Sequence, residues 1–448
     1  MRGMKLRSAT TVVTMVTLGF AAALAACGGG TQGAADCSID GLTCGTPSPC
    51  VATNTCDAHP PDTASIDAPS TVCASIDCSG HGTCADVGGA PLCQCDGGYV
   101  RDTPVTCVAA TGPTIAGCPL LPADHIFNTP IDALPVHAQS DAFINTIGAT
   151  RRVHLDLGTT TDQQAADFYG IPYNLVRGSQ LTWPTVAFLS TDPDLDWDAR
   201  SESDCAVGAG HTLTRPCTTA AAPAPQLPIP ANALVEGGIN RSANQQPYGD
   251  HHVLVVDTDA CVLWEAYHVY SPSAGVWNIF GAAGFDLRSN ALRPRDWTSS
   301  DAAGFPILPL LLRADEASTG TIRHALRFTI ASSKIRIGYT WPARHLTSNG
   351  TTSLALPPMG QLFRLKASYA IPGNATTQTR AILTALKTYG MYIADGGSDM
   401  YITGDPSAAW ADDTFSQVQA VPASAFEAVD LAPIMARPGF DQDSGRVP

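Results

Sequence analysis

Short segments in which apolar and polar residues alternate make up much of the chain after residue 118. Alternation is found in residues 153–157, 334–340 and 362–367, and short apolar runs occupy residues 171–176 and 182–189. A period of two indicates a strand with one buried face, and Gly, Pro and Asn separate these segments as turn residues do. The pattern therefore predicts many short strands.

One segment has helical spacing instead. In TTQTRAILTALKTYG, apolar residues recur every three or four positions, with Thr376 or Thr377 as the N-cap and Gly390 as the C-cap. No segment repeats with the period of a solenoid or a propeller. The expected fold is mainly β, an antiparallel sandwich or jelly-roll-like domain with a few peripheral helices, and an α+β fold is the alternative.

Polar residues interrupt two apolar runs in the segment GDHHVLVVDTDACVLWEAYH. If the two runs form a hairpin with a two- or four-residue turn, Val256 lies opposite Cys261 and His252 lies opposite Glu265. Asp250 is then on the same face. A three-residue turn would move Glu265 to the other face and separate the group.

A carboxylate beside an imidazole has three interpretations. The pair can act in general acid/base catalysis, because each group orients the other and sets its protonation state. Asp250, His252 and Glu265 can instead ligate a divalent metal, although no cofactor is firmly implied. The third interpretation is a cross-strand hydrogen bond with no function.

Further candidate residues lie in three other segments. Glu236 precedes Gly237-Gly238, where the backbone can bend and a ligand can come close. The motif YTWPARH has an aromatic residue and two polar side chains that could contact a substrate, but the same motif could also be a solvated loop with no function. The motif IADGGSD ends in a Gly-rich run that is also typical of a simple turn. The residues singled out in these two motifs are Tyr339, Arg344, His345 and Asp395.

The N-terminus resembles that of a bacterial lipoprotein. Basic residues precede an apolar run that ends in Leu-Ala-Ala-Cys, which predicts a signal peptide over residues 1–26 and lipidation of Cys27. The chain has 15 cysteines, so a lipidated Cys27 leaves an even number for disulfides in an oxidising compartment. Residues 27–70 are small and polar and form a tether, with four cysteines whose pairing the sequence leaves open: Cys37, Cys44, Cys50 and Cys56.

Six closely spaced cysteines in residues 71–108 resemble an epidermal-growth-factor-like module. The one-residue gap between Cys93 and Cys95 and the Gly98-Tyr99 pair carry this resemblance. The resemblance implies the pairs Cys73–Cys84, Cys78–Cys93 and Cys95–Cys107. The acidic cluster of the calcium-binding version is missing, so we expect no calcium there.

A linker over residues 109–117 precedes a main domain over 118–437 and a tail over 438–448. Residues 190–229 are rich in Pro and Ala and predict a surface insertion with its own disulfide, Cys205–Cys217. Cys118 and Cys261 are then left to pair with each other. The segments FDLRSNALRPRDWTSSDAAGFPILP, IRHALRF, YTWPARH and LKTYGMYIADGGSDMYITG resemble a family of uncharacterised secreted bacterial proteins over residues 118–430. That resemblance implies a secreted, self-contained domain and no particular activity.

The net charge of -15 and a pI near 5.0 argue against binding to nucleic acid. They also argue that the protein reaches a membrane only through the lipid on Cys27. Carboxylates, histidines and tryptophans in an exported domain suit a polysaccharide cleft, in which aromatic faces stack on sugars and carboxyl groups cut or hold them. The tryptophans in question are Trp183, Trp264, Trp277, Trp297 and Trp341.

We therefore expect a cell-surface lipoprotein that acts on extracellular polysaccharide. Glu236 and Glu265 would be the carboxyl pair of a hydrolase, or His345 and Tyr339 would be the base and acid of a lyase. The alternative is a non-enzymatic lipoprotein for adhesion or for recognition of cell-surface glycans. Convergence of the polar residues in one cleft favours the enzyme, and scatter over the surface favours the binding protein.

Overall fold

The computed structural model describes residues 71–87, 89–96, 99–109, 112–165, 168–188, 199–217, 224–238, 250–347 and 350–448. These residues all belong to one compact unit. The predicted signal peptide, Cys27 and the tether with its four cysteines lie outside the described residues.

The cysteine-rich segment consists of two short hairpins closed by disulfides. Its buried residues are cysteines, because so small a segment has few other apolar side chains. The bonds are Cys73–Cys84, Cys78–Cys93 and Cys95–Cys107, the same pairs that the sequence analysis expects. The strands are β1 (Gly82–Val87), β2 (Ala90–Cys95), β3 (Tyr99–Thr103) and β4 (Thr106–Ala109).

The remaining strands are short and form the sheets of the main domain, so the expected mainly β class is confirmed. They are β5 (Thr114–Ile115), β6 (Cys118–Pro119), β7 (His154–Asp156), β8 (Tyr173–Val176), β9 (Val186–Phe188), β10 (Cys205–Val207), β11 (Thr212–Thr214), β12 (Val253–Asp257), β13 (Val262–Tyr267), β14 (Tyr270–Ser273), β15 (Val276–Ile279), β16 (Gly281–Asp286), β17 (Leu326–Ile330), β18 (Leu362–Leu365), β19 (Met391–Gly396), β20 (Tyr401–Thr403) and β21 (Phe426–Ala428). The alternation in residues 334–340 gives no strand, and that prediction is wrong.

Three sheets are stacked as layers. The largest has the order β21-β18-β19-β17-β20-β7, the second β16-β13-β12-β8, and the third β14-β15-β9. One face of the four-stranded sheet, with Leu254 and Leu263, shares a core with the six-stranded sheet. The other face, with Val255 and Trp264, shares a second core with the three-stranded sheet. The sheets are mixed, since β8, β9, β17 and β7 each have a parallel partner.

Five short α-helices are described. The longest follows the predicted pattern: the Thr376 side chain accepts a hydrogen bond from the Thr379 N–H, and Gly390 follows the last turn with φ 76°. Among the described residues, no helix has the length and apolar character needed to cross a membrane. The helices are α1 (Ser140–Ile147), α2 (Ala314–Thr319), α3 (Thr377–Thr388), α4 (Asp412–Val418) and α5 (Ala432–Met435).

The β12–β13 hairpin has a different register from the expected one. Val256 pairs with Leu263, and Leu254 rather than His252 lies opposite Glu265. Cys261 has φ 51°, a left-handed conformation that does not fit a strand. It therefore belongs to the turn, and β13 begins one residue later, at Val262. The shift is by two residues, so the alternating faces are preserved.

The predicted surface insertion is only partly at the surface. Within its described residues, Ala206, Leu227 and Ile229 are buried in the second core, so the prediction is wrong for these positions. The Cys205–Cys217 disulfide closes the β10–β11 hairpin, and Cys118–Cys261 joins β6 to the turn of the central hairpin. Both pairs were expected from the sequence.

The two main-domain disulfides should differ in their effect on stability. Cys118–Cys261 closes a separation of 143 residues and Cys205–Cys217 one of 12. The chain-entropy model then predicts that the Cys118→Ala/Cys261→Ala variant loses about 2 kcal/mol more than the Cys205→Ala/Cys217→Ala variant. Urea denaturation of both variants measures this difference. Equal losses would contradict the account.

Candidate functional site

A loop over residues 298–304, here called the hub loop, binds side chains from four other segments. The Ser300 carbonyl contacts His252, the Asp301 carboxylate contacts Arg327, and the Ala302 N–H donates to Asp395. The Ala302 carbonyl also contacts the His345 ring. The cluster therefore depends on the backbone of this loop as much as on its side chains.

His252 is held between two hydrogen-bond acceptors. Its Nδ1 lies 2.7 Å from Glu236 Oε2 and its Nε2 lies 2.8 Å from the Ser300 carbonyl oxygen. Because both partners accept, both ring nitrogens carry protons and His252 is an imidazolium ion. Burial lowers the pKa of His252, but the Glu236 carboxylate outweighs burial and raises it overall. Burial has the opposite effect on the carboxyl group of Glu236 and raises its pKa, but the charge and hydrogen bonds of His252 outweigh burial and bring this pKa below its usual value.

The backbone around this pair is held in conformations that favour glycine. Gly238 has φ 82°, and a Cβ there would lie 2.8 Å from the Gln163 carbonyl oxygen. His251, next to His252, has φ 49°, a left-handed conformation that is costly for a non-glycine residue. The predicted bend after Glu236 is therefore present.

Arg327 is the buried cation of the cluster. It lies on β17 and is 4% exposed, and it donates through Nε and Nη2 to the two oxygens of Asp301 at 2.9 and 2.8 Å. Its Nη1 donates to Thr403 on β20 at 2.5 Å. Thr403 pairs with Asp156 on β7, so the arginine and the two neighbouring residues lie on one face of the six-stranded sheet.

Asp395 reaches the cluster from β19. The register between β17 and β19 skips Ala394, and such a bulge re-aims the side chain that follows it. Oδ2 accepts from the Ala302 N–H at 3.1 Å and Oδ1 from the Gly396 N–H at 2.6 Å. Burial, with the charges of Asp301 and Asp250, raises the pKa of Asp395 to about 7, although Arg327 lowers it.

A cleft of ≈ 420 Å³ opens beside the hub loop. Its lining includes Asp250, Tyr267, His345 and Asp395, together with residues of the loop itself. This volume is within the range of sites for small ligands. Three of the residues selected from the sequence, Asp250, His345 and Asp395, thus face the same cleft.

Asp250 and His345 present polar atoms that lack hydrogen-bond partners among the described residues. The Asp250 side chain is exposed, and its pKa is raised by desolvation and by Glu236 against the opposing effect of His252 and Arg327. His345 Nδ1 lies 3.0 Å from the Ala302 carbonyl oxygen and donates to it. In the neutral ring, Nε2 is then left as an acceptor.

The predicted pairing of His252 with Glu265 is wrong. Glu265 shares the face of His252 but is 0% exposed, among Leu254, Leu263 and their neighbours in the core. Its Oε1 accepts from the backbone N–H groups of Ile307 and Leu308 at 2.7 and 3.1 Å. Glu265 therefore supports the chain before β17 and is not available to a substrate.

Tyr339 and Arg344 do not line the cleft either. The Tyr339 hydroxyl donates to Asp296 at 2.7 Å. Arg344 is 5% exposed and donates to the carbonyl oxygens of Arg293 and Gln442 and to Asp443. Of the three residues taken from YTWPARH, only His345 reaches the cleft.

The tryptophans do not form sugar-stacking surfaces in the way the sequence suggests. Four of the five are at most 6% exposed and belong to the two cores. A second cavity of ≈ 450 Å³ includes Trp183 and Trp264 in its walls. Its carboxylate, Asp257, is already occupied by the N–H groups of Gly178 and Asp259. The cleft beside the hub loop is therefore the better candidate site.

Sequence reasoning missed Asp156, Asp301 and Arg327. In the sequence, Arg327 could have been noticed as the single charged residue inside LRFTI, an otherwise apolar strand.

The described residues contain one group of three ligand atoms close enough to hold a metal ion. These atoms belong to Cys78, Cys93 and Cys107, and all three cysteines are in disulfides. The carboxylates and histidines of the cleft are not arranged in such a group.

The buried Glu265 should make the stability of the protein depend on pH. Desolvation raises its pKa from 4.5 to about 7, despite the two backbone hydrogen bonds. The folded state then holds this proton more tightly than the unfolded state, so stability is highest below pH 4.5 and falls as the pH rises to about 7. Relative to Glu265→Gln, the wild type should lose up to about 3 kcal/mol over this interval.

Urea denaturation at pH 5 and pH 8 measures the effect of Glu265→Gln. The exposed Asp412 at the start of α4 supplies the control variant, Asp412→Asn. A Glu265→Gln variant whose stability stays parallel to that of the wild type at both pH values would refute the prediction.

The chain was compared with family models, curated proteins and solved structures. No family model matches it, and no curated protein or solved structure matches it either. A functional assignment for this chain therefore rests on the geometry of its own cleft.

Proposed function

We propose that the main domain is a glycoside hydrolase with Asp395 as the general acid and Asp250 as the second carboxyl group. The observation that carries the proposal is that both carboxyl groups line one cleft and influence each other electrostatically. Two carboxyl groups in different protonation states are what most hydrolases of glycosidic bonds require.

The two environments give the carboxyl groups different roles. Asp395 has its pKa raised to about 7 by burial and by the neighbouring aspartates, so it keeps a proton to donate to the leaving oxygen near neutral pH. Desolvation and Glu236 raise the pKa of Asp250, while His252 and Arg327 oppose this rise. Asp250 is the more exposed of the two side chains, so solvent stabilises its anion better, and it serves as base or nucleophile.

His345 and Glu236–His252 have supporting roles. His345 Nδ1 donates to the Ala302 carbonyl, and Nε2, which has no hydrogen-bond partner among the described residues, suits a hydrogen bond with a sugar hydroxyl. The Glu236–His252 ion pair holds the Ser300 carbonyl and thereby fixes the hub loop. This arrangement replaces the expected Glu236 and Glu265 pair, because Glu265 is enclosed in the core.

A lyase is disfavoured by the lining of the cleft. Lyases of polysaccharides act on uronates, whose carboxylate charge must be neutralised during proton abstraction. The described lining residues include no Lys or Arg, and Tyr339 is outside the cleft. The convergence of Asp250, His345 and Asp395 also favours an enzyme over a purely adhesive protein.

The location of the enzyme is a further part of the proposal. Five disulfides are typical of an exported protein. The Leu-Ala-Ala-Cys motif supports attachment of the chain to the cell envelope through a lipid on Cys27. The growth-factor-like resemblance of residues 71–108 supports a role for this segment as a spacer between the lipid and the main domain.

The proposed activity is tested with the purified protein on a panel of glycans. New reducing ends without unsaturated products are expected for a hydrolase. Asp395→Asn should lower kcat about 10²- to 10⁴-fold because the proton donor is lost. Asp412→Asn is the control and should behave like the wild type. Unsaturated products, or an unchanged rate for Asp395→Asn on a cleaved glycan, would overturn the proposal.

The pH dependence gives a separate prediction. Since Asp395 must carry its proton, kcat should fall as the pH rises through about 7. Hydrolysis rates between pH 4 and pH 9 measure this limb. A rate that stays constant or rises above pH 7 would exclude Asp395 as the acid.

A further inference from the structure

We propose, on the basis of the proposed function, that the sugar unit bound beside Asp250 carries a protonated amino group. The substrate class is then an amino-sugar polymer with free amines rather than a neutral polymer or a uronate polymer. Acidic side chains line the cleft, while the cations that act on them lie in the interior behind it.

Among the described residues of its lining, the cleft has acidic side chains and no Lys or Arg. The acidic residues are Asp250 and Asp395, and the rest of the described lining consists of uncharged side chains and His345. At pH 6 Asp395 keeps its proton and Asp250 supplies the negative charge. A uronate would therefore place a second carboxylate beside Asp250 with no described lining cation to receive it, and like charges in a cleft repel.

Arg327 and the His252 imidazolium, whose charges lower the pKa of Asp250, are not accessible to a ligand. Arg327 is 4% exposed and its guanidinium holds Asp301 and Thr403. His252 is 3% exposed, and both of its ring nitrogens are occupied by Glu236 and Ser300. Their positive charge stabilises the interior and offers no contact to an anion in the cleft.

Among the described residues, none donates a hydrogen bond to the Asp250 carboxylate, and this side chain is exposed. A neutral sugar that displaces water from this carboxylate leaves its charge poorly compensated, which costs binding energy. An ammonium group replaces the lost water with a charge-assisted hydrogen bond. One Asp250 oxygen can receive the ammonium while the other stays available to the attacking water.

The test compares the affinity of the purified protein for three oligosaccharides of equal length. They are built of glucosamine, N-acetylglucosamine and galacturonate, and binding is measured by calorimetry at pH 6. We expect the glucosamine oligosaccharide to bind at least about tenfold more tightly than the other two, since one charge-assisted hydrogen bond is gained. This preference should shrink when the salt concentration is raised, because salt screens the attraction.

Two variants separate the role of Asp250 from a general effect of acidic charge. Asp250→Asn keeps the shape of an exposed side chain and should reduce the preference for the glucosamine oligosaccharide to about twofold or less. Asp412→Asn removes one carboxylate from α4, outside the cleft, and should leave the preference unchanged.

Equal or weaker binding of the glucosamine oligosaccharide, or no binding of it, would overturn this inference. So would an unchanged preference in Asp250→Asn. Turnover of the same oligosaccharides is recorded in parallel. Hydrolysis of a neutral polymer without a preference for amines would leave the proposed hydrolase standing and remove only the inference. Tight binding of the glucosamine oligosaccharide that depends on Asp250 but gives no turnover would support the inference and contradict the proposed hydrolase activity.

Discussion

Arg327 is the cation around which the candidate site is built. It is buried on β17 and holds Asp301 through both carboxylate oxygens. Burial raises the pKa values of Asp156, Asp250 and Asp395, and the charge of Arg327 opposes this rise. The same charge helps to keep the pKa of Glu236 below its usual value. Five carboxyl groups in one region would repel each other and cost a large desolvation energy without it. The arginine and the His252 imidazolium compensate part of this charge, and the rest appears as raised pKa values.

The positive charges of Arg327 and His252 compensate only part of the negative charge of the carboxyl groups, and the remainder allows some of these groups to stay protonated near neutral pH. Burial and neighbouring charges raise the pKa of Asp156 to about 6 and that of Asp395 to about 7. Elevated values of this kind cluster in functional sites, because a carboxyl group that keeps its proton near neutral pH can donate it. The cost of holding these groups together is met by packing elsewhere, in the two cores that enclose the four-stranded sheet.

The parts of the fold that follow local rules could be predicted from the sequence. Helix α3 follows from its apolar spacing and its Thr376 cap. In the main domain, Cys205–Cys217 follows from its place within one insertion and Cys118–Cys261 from elimination. The three pairs in residues 71–108 follow from the growth-factor-like resemblance. The hairpin register could not be predicted, because Cys261 adopts a left-handed conformation that extends the turn. The register sets which residue lies opposite Glu265, whereas its burial comes from the six-stranded sheet, which packs against that face of β13.

The candidate site was predictable only in part for a related reason. Asp250, His345 and Asp395 stand out as polar residues at the ends of strand-like runs, where a cleft can form. Arg327 and Asp301 are brought together by packing of the hub loop on β17, over a sequence separation of 26 residues that carries no local signal. Alternation in a strand identifies two faces, but it does not show that a second layer covers the polar one.

The pKa of the Asp395 carboxyl group tests this account most directly. It is measured by carbon-detected NMR of ¹³C-labelled aspartate carboxyl groups over a range of pH. In the wild type, Asp395 should titrate at about 7. In Asp250→Asn the value should fall, because the Asp250 charge is one of the causes that raise it. A carboxyl resonance of Asp395 that titrates near its ordinary value of 3.8 in both proteins would contradict the claim that incompletely compensated charge defines the site.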